Sequence, residues 1–433
     1  MTLVQLYDCF LACGAVTTDS RRCPKGSLFI ALKGESFDGN TFAAKALEAG
    51  CAYALIDDAK FAIPGDNRYL LTDDCLHTLQ QLANHHRRQL GTPIVGITGT
   101  NGKTTTKELV AAVLKQKFVL HFTQGNLNNH IGVPLTLLGL RPEHEVAVVE
   151  MGANHPGEIA ELCAIAEPDC GLITNVGKAH LEGFGSFEGV KKTKGELYDF
   201  LRQRPEGLVF LHRDNEHLCA MSQGLKTFTY GVDEGCNLVG RLTDTQSPYL
   251  CFDWQTAGTA ALHRVHTQLV GDYNLPNALA AVAVGLHFGV STESIDHALQ
   301  TYTPGNNRSQ LSQTEHNTLI IDAYNANPTS MRAALENFER MDAPRKMVIL
   351  GDMKELGKDS RNEHLHIVDL LQSTSIERIC LVGSEFSAVG GKYDCFADVN
   401  ALIEEFKDAK PEGYTILIKG SNSTHLIQIV EHL

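Results

Sequence analysis

The residues best suited to chemistry in this sequence form a short glycine-rich run that contains one lysine. It reads Gly99-Thr-Asn-Gly-Lys-Thr-Thr105, after an apolar stretch at 93–98 and before apolar residues at helical spacing. Backbone N–H groups at a helix start attract phosphate, Lys103 would reach the terminal phosphates, and Thr104 would offer its hydroxyl to Mg²⁺. The strict phosphate-loop pattern is missed by one place, because Ile97 stands where its first glycine belongs. The run predicts a polyphosphate cradle, and a chance glycine-rich turn is the alternative.

Three titratable residues follow predicted elements further along the chain. Glu150 ends the β-branched run 146–149, His180 lies in a glycine-rich loop after the apolar run 170–174, and Lys194 lies in a basic helix start. Open parallel sheets bind ligands at the carboxyl ends of their strands, which makes Glu150 a candidate Mg²⁺ ligand and His180 a candidate ligand. The alternatives are that Glu150 caps a turn and that His180 is a solvated loop residue. Lys194 could be an ordinary lysine, either in a solvated helix start or paired with Glu196 or a phosphate.

Polar residues at other loops and helix starts are candidates for binding. Asn274 and Asn277 stand at the start of a small-residue helix, where capping is the competing explanation. In the amino-terminal loops, Arg21 or Lys33 could hold a phosphorylated ligand, although ordinary turn chemistry explains either loop alone. The remaining candidate residues identified by position lie in loops beside predicted strands or at a strand end: Ser20, Asp38, Asp322 and Asn325.

Composition limits the class of protein. The chain has 433 residues and a formal charge of −14, so we expect two or three domains and no broad nucleic-acid binding. It contains no run of eighteen apolar residues and no signal-peptide pattern, and the expectation is a cytoplasmic protein with no membrane contact. The twelve cysteines lack C-x-x-C spacing, which favours free buried thiols over zinc or redox sites.

The order of predicted elements indicates an α/β protein of three domains. Residues 1–90 predict a small α/β domain, 91–303 a central P-loop parallel-sheet ATPase domain, and 304–433 a doubly wound Rossmann-like domain. Within the central domain, short alternating strands from Leu208 to about Val270 predict an antiparallel excursion from the parallel sheet.

Several motifs in one order resemble the ATP-dependent Mur ligase family, over essentially the whole chain. The motifs are Gly96-x-x-Gly-Thr-Asn-Gly-Lys-Thr104, Glu150-Met-Gly, Asn175-Val-Gly-x-Ala-His180, Lys194-Gly-Glu, Asn274-x-x-Asn277, Arg308 and Asp322. A second set resembles the branch that adds D-alanyl-D-alanine to UDP-N-acetylmuramoyl-tripeptide: Thr18-Asp-Ser-Arg21, Leu32-Lys-Gly-x-x-x-Asp-Gly39, Tyr324-Asn-Ala-Asn-Pro-Thr-Ser330 and Leu350-Gly-Asp-Met-x-Glu-Leu-Gly357. Asn40, Tyr273 and Asn307 depart from that pattern, which has histidine, histidine and glycine there.

The resemblance implies an ADP-forming ligase that uses ATP and Mg²⁺ and passes through an acyl phosphate. Thr104 and Glu150 would hold one ion, and His180 would hold a second together with a carbamylated Lys194. The nucleotide would contact Gly99–Thr105, Asn274, Asn277, Arg308 and Asp322, and the peptide substrates would contact Ser20, Arg21, Lys33, Asp38 and Asn325. We expect a monomer. One alternative is a Mur ligase that adds an amino acid. The other is a P-loop ATPase switch, and only the switch would release phosphate without peptide substrates.

Overall fold

The computed structural model describes residues 1–305 and 308–433, so Asn306 and Asn307 lie outside the described residues. The chain forms two compact units. The first comprises Met1–Gly96, Phe118–Ala153 and Gly157–Gly171, and the second comprises Ile97–Lys117, Asn154–Pro156 and Leu172–Leu433.

The first 90 residues form a small parallel sheet with helices, as the sequence predicts. The elements are α1 (Leu3–Cys13), β1 (Val16–Thr17), β2 (Leu28–Ile30), β3 (Lys33–Gly34), β4 (Phe37–Asp38), α2 (Ala43–Glu48), β5 (Tyr53–Ile56), β6 (Tyr69–Leu71) and α3 (Cys75–Leu90). The sheet order is β1-β2-β5-β6, with parallel pairing throughout. Helix α3 begins where Asp74 accepts a hydrogen bond from the His77 N–H, and it ends at Gly91, whose φ is 66°.

The central part of the chain contributes nine strands to one sheet. Its elements are β7 (Ile94–Thr98), α4 (Lys103–Leu114), β8 (Leu120–Phe122), α5 (Gly132–Leu138), β9 (Val146–Glu150), α6 (Glu158–Ala166), β10 (Cys170–Ile173), α7 (Leu181–Phe184), α8 (Phe187–Arg202), β11 (Leu208–His212), α9 (Glu216–Met221), β12 (Lys226–Gly231), β13 (Leu238–Asp244), β14 (Tyr249–Thr256), β15 (His263–Val270), α10 (Leu275–His287) and α11 (Thr292–Thr301). The sheet order is β15-β14-β13-β12-β11-β10-β7-β9-β8.

The predicted antiparallel excursion from Leu208 to Val270 is wrong in its first part. Strands β11 and β12 pair in parallel, and so do β12 and β13. Antiparallel pairing begins only between β13 and β14 and continues to β15. Parallel neighbours need a crossover connection, and helix α9 provides one between β11 and β12. The sequence reading missed this short helix and therefore missed the direction of the strand after it.

The carboxyl-terminal part forms the predicted doubly wound sheet. Its elements are β16 (Gln310–Gln313), β17 (Thr318–Asp322), α12 (Pro328–Arg340), β18 (Lys346–Gly351), α13 (Ser360–Gln372), β19 (Arg378–Val382), α14 (Ser384–Ser387), β20 (Asp394–Phe396), α15 (Val399–Asp408) and β21 (Thr415–Lys419). The order is β16-β17-β21-β18-β19-β20, with β16 antiparallel at one edge. Separate apolar clusters cover its faces, one including Leu335 and Phe338 of α12, the other Leu402 and Phe406 of α15.

Two whole-chain expectations can be compared with the structure. All twelve cysteines are free thiols, but Cys395 is exposed, so the expectation of buried thiols holds only in part. Within residues 1–305 and 308–433, none of the helices has both the length and the apolar character needed to cross a membrane.

Candidate nucleotide and substrate sites

The glycine-rich run forms a turn between β7 and α4, as predicted. Gly99 and Gly102 have φ values of 141° and 78°, in the region that favours glycine. A Cβ at Gly99 would lie 2.0 Å from the Thr174 hydroxyl oxygen, and one at Gly102 would lie 2.7 Å from the Asn277 side-chain oxygen. Both glycines therefore allow a close approach that a larger residue would prevent.

Residues after β10 hold the backbone of this loop. The Thr100 N–H donates to the Asn175 carbonyl at 2.9 Å, and the Asn101 N–H donates to the Asn175 side-chain oxygen at 3.0 Å. The Thr174 hydroxyl donates to the Asn101 carbonyl at 2.6 Å. The Lys103 ammonium donates to the carbonyls of Gly99 and Thr100 at 2.8 and 3.1 Å. The loop is thus organised by neutral groups, with its lysine folded back over it.

Asn274 and Asn277 make contacts inside the protein. Asn277 accepts from the Thr106 hydroxyl at 3.1 Å and donates to Asn274 at 2.8 Å. Asn274 donates to the Val270 carbonyl at 2.8 Å, and neither side chain makes a cap hydrogen bond to the start of α10. The capping explanation is therefore wrong, and the two amides brace the first turns of α4.

A small cavity lies beside the first turn of α4. Its lining residues are Thr104, Thr105, Glu108, Leu269, Tyr302, Gly305 and Arg308. The Arg308 guanidinium lies over the Tyr324 ring, 3.8 Å from its centroid, and its Nε is buried with no hydrogen-bond partner among the described residues. Burial raises the pKa of Tyr302, so this hydroxyl stays protonated at neutral pH. The cavity combines hydroxyl groups, a cation, the Glu108 carboxylate and an apolar wall.

Asp322 lies at the end of β17, where the sequence places it. Its carboxylate accepts from the Lys419 ammonium, and Lys419 is 2 % exposed. A buried ion pair orients a carboxylate more firmly than an exposed pair, because water competes less for either charge. Asn325 is the exposed residue of the loop that follows, and its side chain accepts from the Ala326 N–H at 2.9 Å.

His180 and Lys194 both lie near Phe184 in the second unit. His180 has a left-handed φ of 50°, and its Nδ1 contacts the Glu355 carboxylate. Lys194 is buried at 2 % exposure on α8, with its ammonium 5.3 Å from the Phe184 ring centroid. The alternative of Lys194 as a solvated surface cation is therefore wrong.

Glu150 lies in the first unit at the end of β9 and is 1 % exposed. One oxygen of the Glu150 carboxylate accepts a hydrogen bond from the Asn128 side-chain amide at 2.7 Å. The backbone N–H of Glu150 donates to the Thr123 hydroxyl oxygen at 3.0 Å. Within 1–305 and 308–433, no group of three His, Cys, Asp or Glu side chains is arranged to hold a metal ion. The metal-ligand set therefore remains a prediction from the resemblance.

The amino-terminal candidates lie in two polar loops of the first unit. Arg21 is exposed and pairs with Asp19 at 2.9 Å, and the hydrogen bond from Arg21 lowers the pKa of Asp19 to about 2. The Lys33 ammonium lies 2.8 Å from Asp57, which raises the pKa of Lys33. Ser20 is half-buried beside Arg21. These exposed cations can exchange their partners for an anionic ligand at small cost.

Asp38 and Asn40 are part of the second of these loops. Asn40 is buried, and its amide donates to both Asp38 and Asp57 at 2.7 Å. The Asp57 N–H donates back to the Asn40 oxygen at 3.0 Å. Asn40, which stands where the related ligases usually have histidine, thus joins the two carboxylates on either side of Lys33.

Sequence reasoning missed three partners of the predicted residues. Lys419 pairs with Asp322, Glu355 contacts His180, and Asn327 hydrogen-bonds Asn101. All three residues lie in polar loops at the ends of strands, where parallel sheets place their ligands, and Asn327 and Glu355 lie in motifs of the resemblance. The sequence marked these loops but did not show which residues contact each other.

Three family models match consecutive parts of the chain. "Mur ligase family, catalytic domain" matches residues 14–87, "Mur ligase middle domain" 97–285, and "Mur ligase, glutamate ligase domain" 307–422. With the sheets described above, these matches confirm the predicted three-domain α/β fold. The precise boundaries stay a prediction.

Individual relatives match the chain from end to end. The UDP-N-acetylmuramoyl-tripeptide–D-alanyl-D-alanine ligase of Bacillus subtilis is 36 % identical over 96 % of this chain and 92 % of its own length. The ligase of that name from Escherichia coli is also 36 % identical, over 100 % of this chain and 98 % of its own. A crystal structure of MurF from Acinetobacter baumannii has a TM-score of 0.87 and 32 % identity, covering 99 % of this chain and 98 % of that one. The MurF ligase of Thermotoga maritima in complex with ADP has a TM-score of 0.85 and 26 % identity, covering 98 % and 97 %. This chain therefore belongs to the Mur ligase family, and within it to the MurF type.

Proposed function

We propose that this protein is the ATP-dependent, ADP-forming ligase that adds D-alanyl-D-alanine to UDP-N-acetylmuramoyl-tripeptide in peptidoglycan precursor synthesis. The observation that carries this proposal is the end-to-end similarity, over 96–100 % of the chain, to ligases with that name. The phosphate loop between β7 and α4 supports it, because such a ligase must bind a nucleoside triphosphate.

The chemistry follows from the poor reactivity of a carboxylate toward an amine. An oxygen of the tripeptide's terminal carboxylate bonds to the γ-phosphorus of ATP while the bond from that phosphorus to the bridging oxygen breaks, giving an acyl phosphate and ADP. The amine of D-alanyl-D-alanine then attacks the acyl carbon, phosphate leaves, and the amine loses a proton. Both steps bring anions together. The residues around them must therefore bind and orient the substrates and offset the negative charge of their phosphate and carboxylate groups.

We assign nucleotide binding to the loop Gly99–Thr105 and the residues around it. The loop N–H groups and Lys103 would hold the phosphates, Lys103 exchanging two carbonyl oxygens for phosphate oxygens. Arg308 would reach the terminal phosphate. Its buried Nε supports this role, because that atom has no hydrogen-bond partner among the described residues. Asp322 would bind the ribose, and Asn274 and Asn277 would act by bracing α4.

From the resemblance, we propose Thr104, Glu150, His180 and Lys194 as the residues that hold Mg²⁺. When bound, Mg²⁺ supplies positive charge that offsets the charge of the phosphates. The donor chemistry fits, because the hydroxyl of Thr104 and the buried carboxylate of Glu150 are hard oxygen ligands. An unmodified Lys194 ammonium would be repelled by Mg²⁺, whereas a carbamate formed on it from CO₂ would offer two oxygen ligands suited to a hard ion.

The two peptide-bearing substrates would bind at separate polar loops. We propose that Ser20, Arg21, Lys33 and Asp38 hold the UDP end of the nucleotide-linked tripeptide, because they combine two exposed cations with polar loop groups. Asn325 would hold D-alanyl-D-alanine, because its side chain is exposed in the loop that follows β17.

We also propose domain boundaries at 1–90, 91–303 and 304–433, a monomeric state, and action in the cytoplasm, where ATP is available. Limited proteolysis would test the boundaries, light scattering on the purified protein would test the monomer, and cell fractionation would test the location.

The decisive experiment measures ADP release while substrates are supplied in combination. UDP-N-acetylmuramoyl-tripeptide is crossed with D-alanyl-D-alanine, with single amino acids, and with no acceptor. We expect steady ADP release only with the tripeptide and the dipeptide together. Equal release with a single amino acid would indicate an amino-acid-adding ligase, and release without either substrate would indicate an ATPase switch.

A further inference from the structure

Asn101 of the phosphate loop exchanges two side-chain hydrogen bonds with a residue 226 positions away, Asn327. The Asn327 amide nitrogen donates to the Asn101 oxygen at 2.6 Å, and the Asn101 amide nitrogen donates to the Asn327 oxygen at 3.3 Å. Both residues belong to the second unit. We refer to this arrangement as the amide pair.

The Asn101 side of the amide pair is held firmly. Its carbonyl accepts from the Thr174 hydroxyl at 2.6 Å and from the Asn175 amide at 3.0 Å. Its N–H donates to the Asn175 side-chain oxygen at 3.0 Å. With three hydrogen bonds on its backbone, the direction of the Asn101 side chain is set by the residues that follow β10.

The Asn327 side is also held firmly, because Asn327 is the N-cap of α12. Its side-chain oxygen accepts from the Ser330 N–H at 3.0 Å, and the Ser330 hydroxyl completes a capping box. A Cβ at Gly177 would lie 3.1 Å from the Thr329 hydroxyl oxygen, so a second loop also approaches the start of this helix closely. Asn325, the proposed contact of the acceptor dipeptide, lies two residues before Asn327.

We propose that the amide pair is a positioning device for the second step of ligation, which fixes residues 324–330 against the phosphate loop. This inference rests on the proposed function. The acyl phosphate forms at the loop, and the amine of the dipeptide must reach the same carbon, so a displacement of about 1 Å is enough to reduce the rate strongly. Asn101 and Asn327 touch no reacting atom in this proposal. They are positioning residues, which act by holding residues 324–330 and the phosphate loop in place.

The test variant is Asn327→Ser. Serine is a good N-cap, so α12 keeps its start, but its short side chain cannot exchange two hydrogen bonds with Asn101. We expect the KM for D-alanyl-D-alanine to rise by about three- to tenfold, as loss of one or two hydrogen bonds predicts. The KM for ATP should change by less than about twofold, because Thr174 and Asn175 still hold the loop.

Two further variants separate positioning from structure. Asn215→Ser makes the same exchange at another N-cap, where the Asn215 oxygen accepts from the Leu218 N–H at 3.2 Å, and should leave the kinetics unchanged. Asn101→Ala combined with Asn327→Ser should raise the dipeptide KM no further than the larger single effect, because both changes remove the same interaction.

The outcomes are distinguishable. A wild-type KM for the dipeptide in Asn327→Ser overturns the inference, and so does an equal rise in the KM for ATP, which would assign the amide pair to nucleotide binding. Additive effects in the double variant overturn it as well. A wild-type protein that releases no ADP with both peptide substrates refutes the proposed function, and with it the inference that depends on it.

Discussion

Replacing Gly102 by alanine tests whether the phosphate loop depends on its packing against Asn277. Gly102 has a φ of 78°, and an added Cβ would meet the Asn277 oxygen at 2.7 Å and its nitrogen at 3.0 Å. Gly224, in the same unit, has a φ of 77° and no atom within 4 Å of the added Cβ. The two positions therefore share the backbone strain and differ in crowding.

The expected magnitudes follow from these two contributions. Alanine in a left-handed conformation costs about 1–2 kcal/mol at either position. Crowding adds about 1–3 kcal/mol at Gly102, because Asn277 is held by Thr106 and Asn274 and cannot move aside without losing hydrogen bonds. We expect a loss of about 2–5 kcal/mol in the free energy of unfolding for Gly102→Ala and about 1–2 kcal/mol for Gly224→Ala.

Urea unfolding followed by tryptophan fluorescence provides the assay. Trp254 is the only tryptophan of the chain, is 1 % exposed, and lies in the same unit as both glycines. Adding Asn277→Ala to Gly102→Ala should give a smaller loss than the sum of the two single losses, because the crowded side chain is then absent. Equal losses for Gly102→Ala and Gly224→Ala, or strict additivity in the double variant, would refute the crowding argument.

Three further predictions concern the proposed chemistry. Lys103→Ala and Glu150→Ala should each lower kcat/KM by about 10²-fold or more while the far-UV circular dichroism stays unchanged, and near-normal turnover would remove that residue from the mechanism. Arg21→Ala should raise the KM for the UDP-linked tripeptide with less effect on the KM for ATP, and equal effects on both would mean that the loop acts through folding. Lys194→Ala should be nearly inactive and partly rescued by formate or acetate, whereas Lys194→Arg should stay inactive because guanidinium forms no stable carbamate; full activity of the arginine variant contradicts the carbamate.

The strands were predictable where apolar runs are short and bounded by polar turns. The runs 146–149 and 170–174 form strands β9 and β10, because each run is buried in the central sheet. The direction of β12 was not predictable, since it depends on the six-residue helix α9, which has only Leu218 fully buried and so gives a weak periodic signal.

The site was predictable only as far as its signals are local in sequence. The phosphate loop depends on glycines within four positions of each other, and the sequence identified it. The amide pair joins residues 226 positions apart, and the ion pair of Asp322 with Lys419 joins residues 97 positions apart. Such contacts are set by how the sheets bring their strand ends together, which no local pattern records.

The distribution of charge around the phosphate loop explains why so much of its scaffold is amide. Asn101, Asn175 and Asn277 supply hydrogen bonds that fix the loop and the start of α4 without adding a full charge. A carboxylate in their place would repel the phosphates. Lys103 donates to two carbonyl oxygens of the same loop, so its charge already lies where we propose that the phosphates bind. The amides therefore set the geometry of the loop, and the lysine supplies charge for the nucleotide.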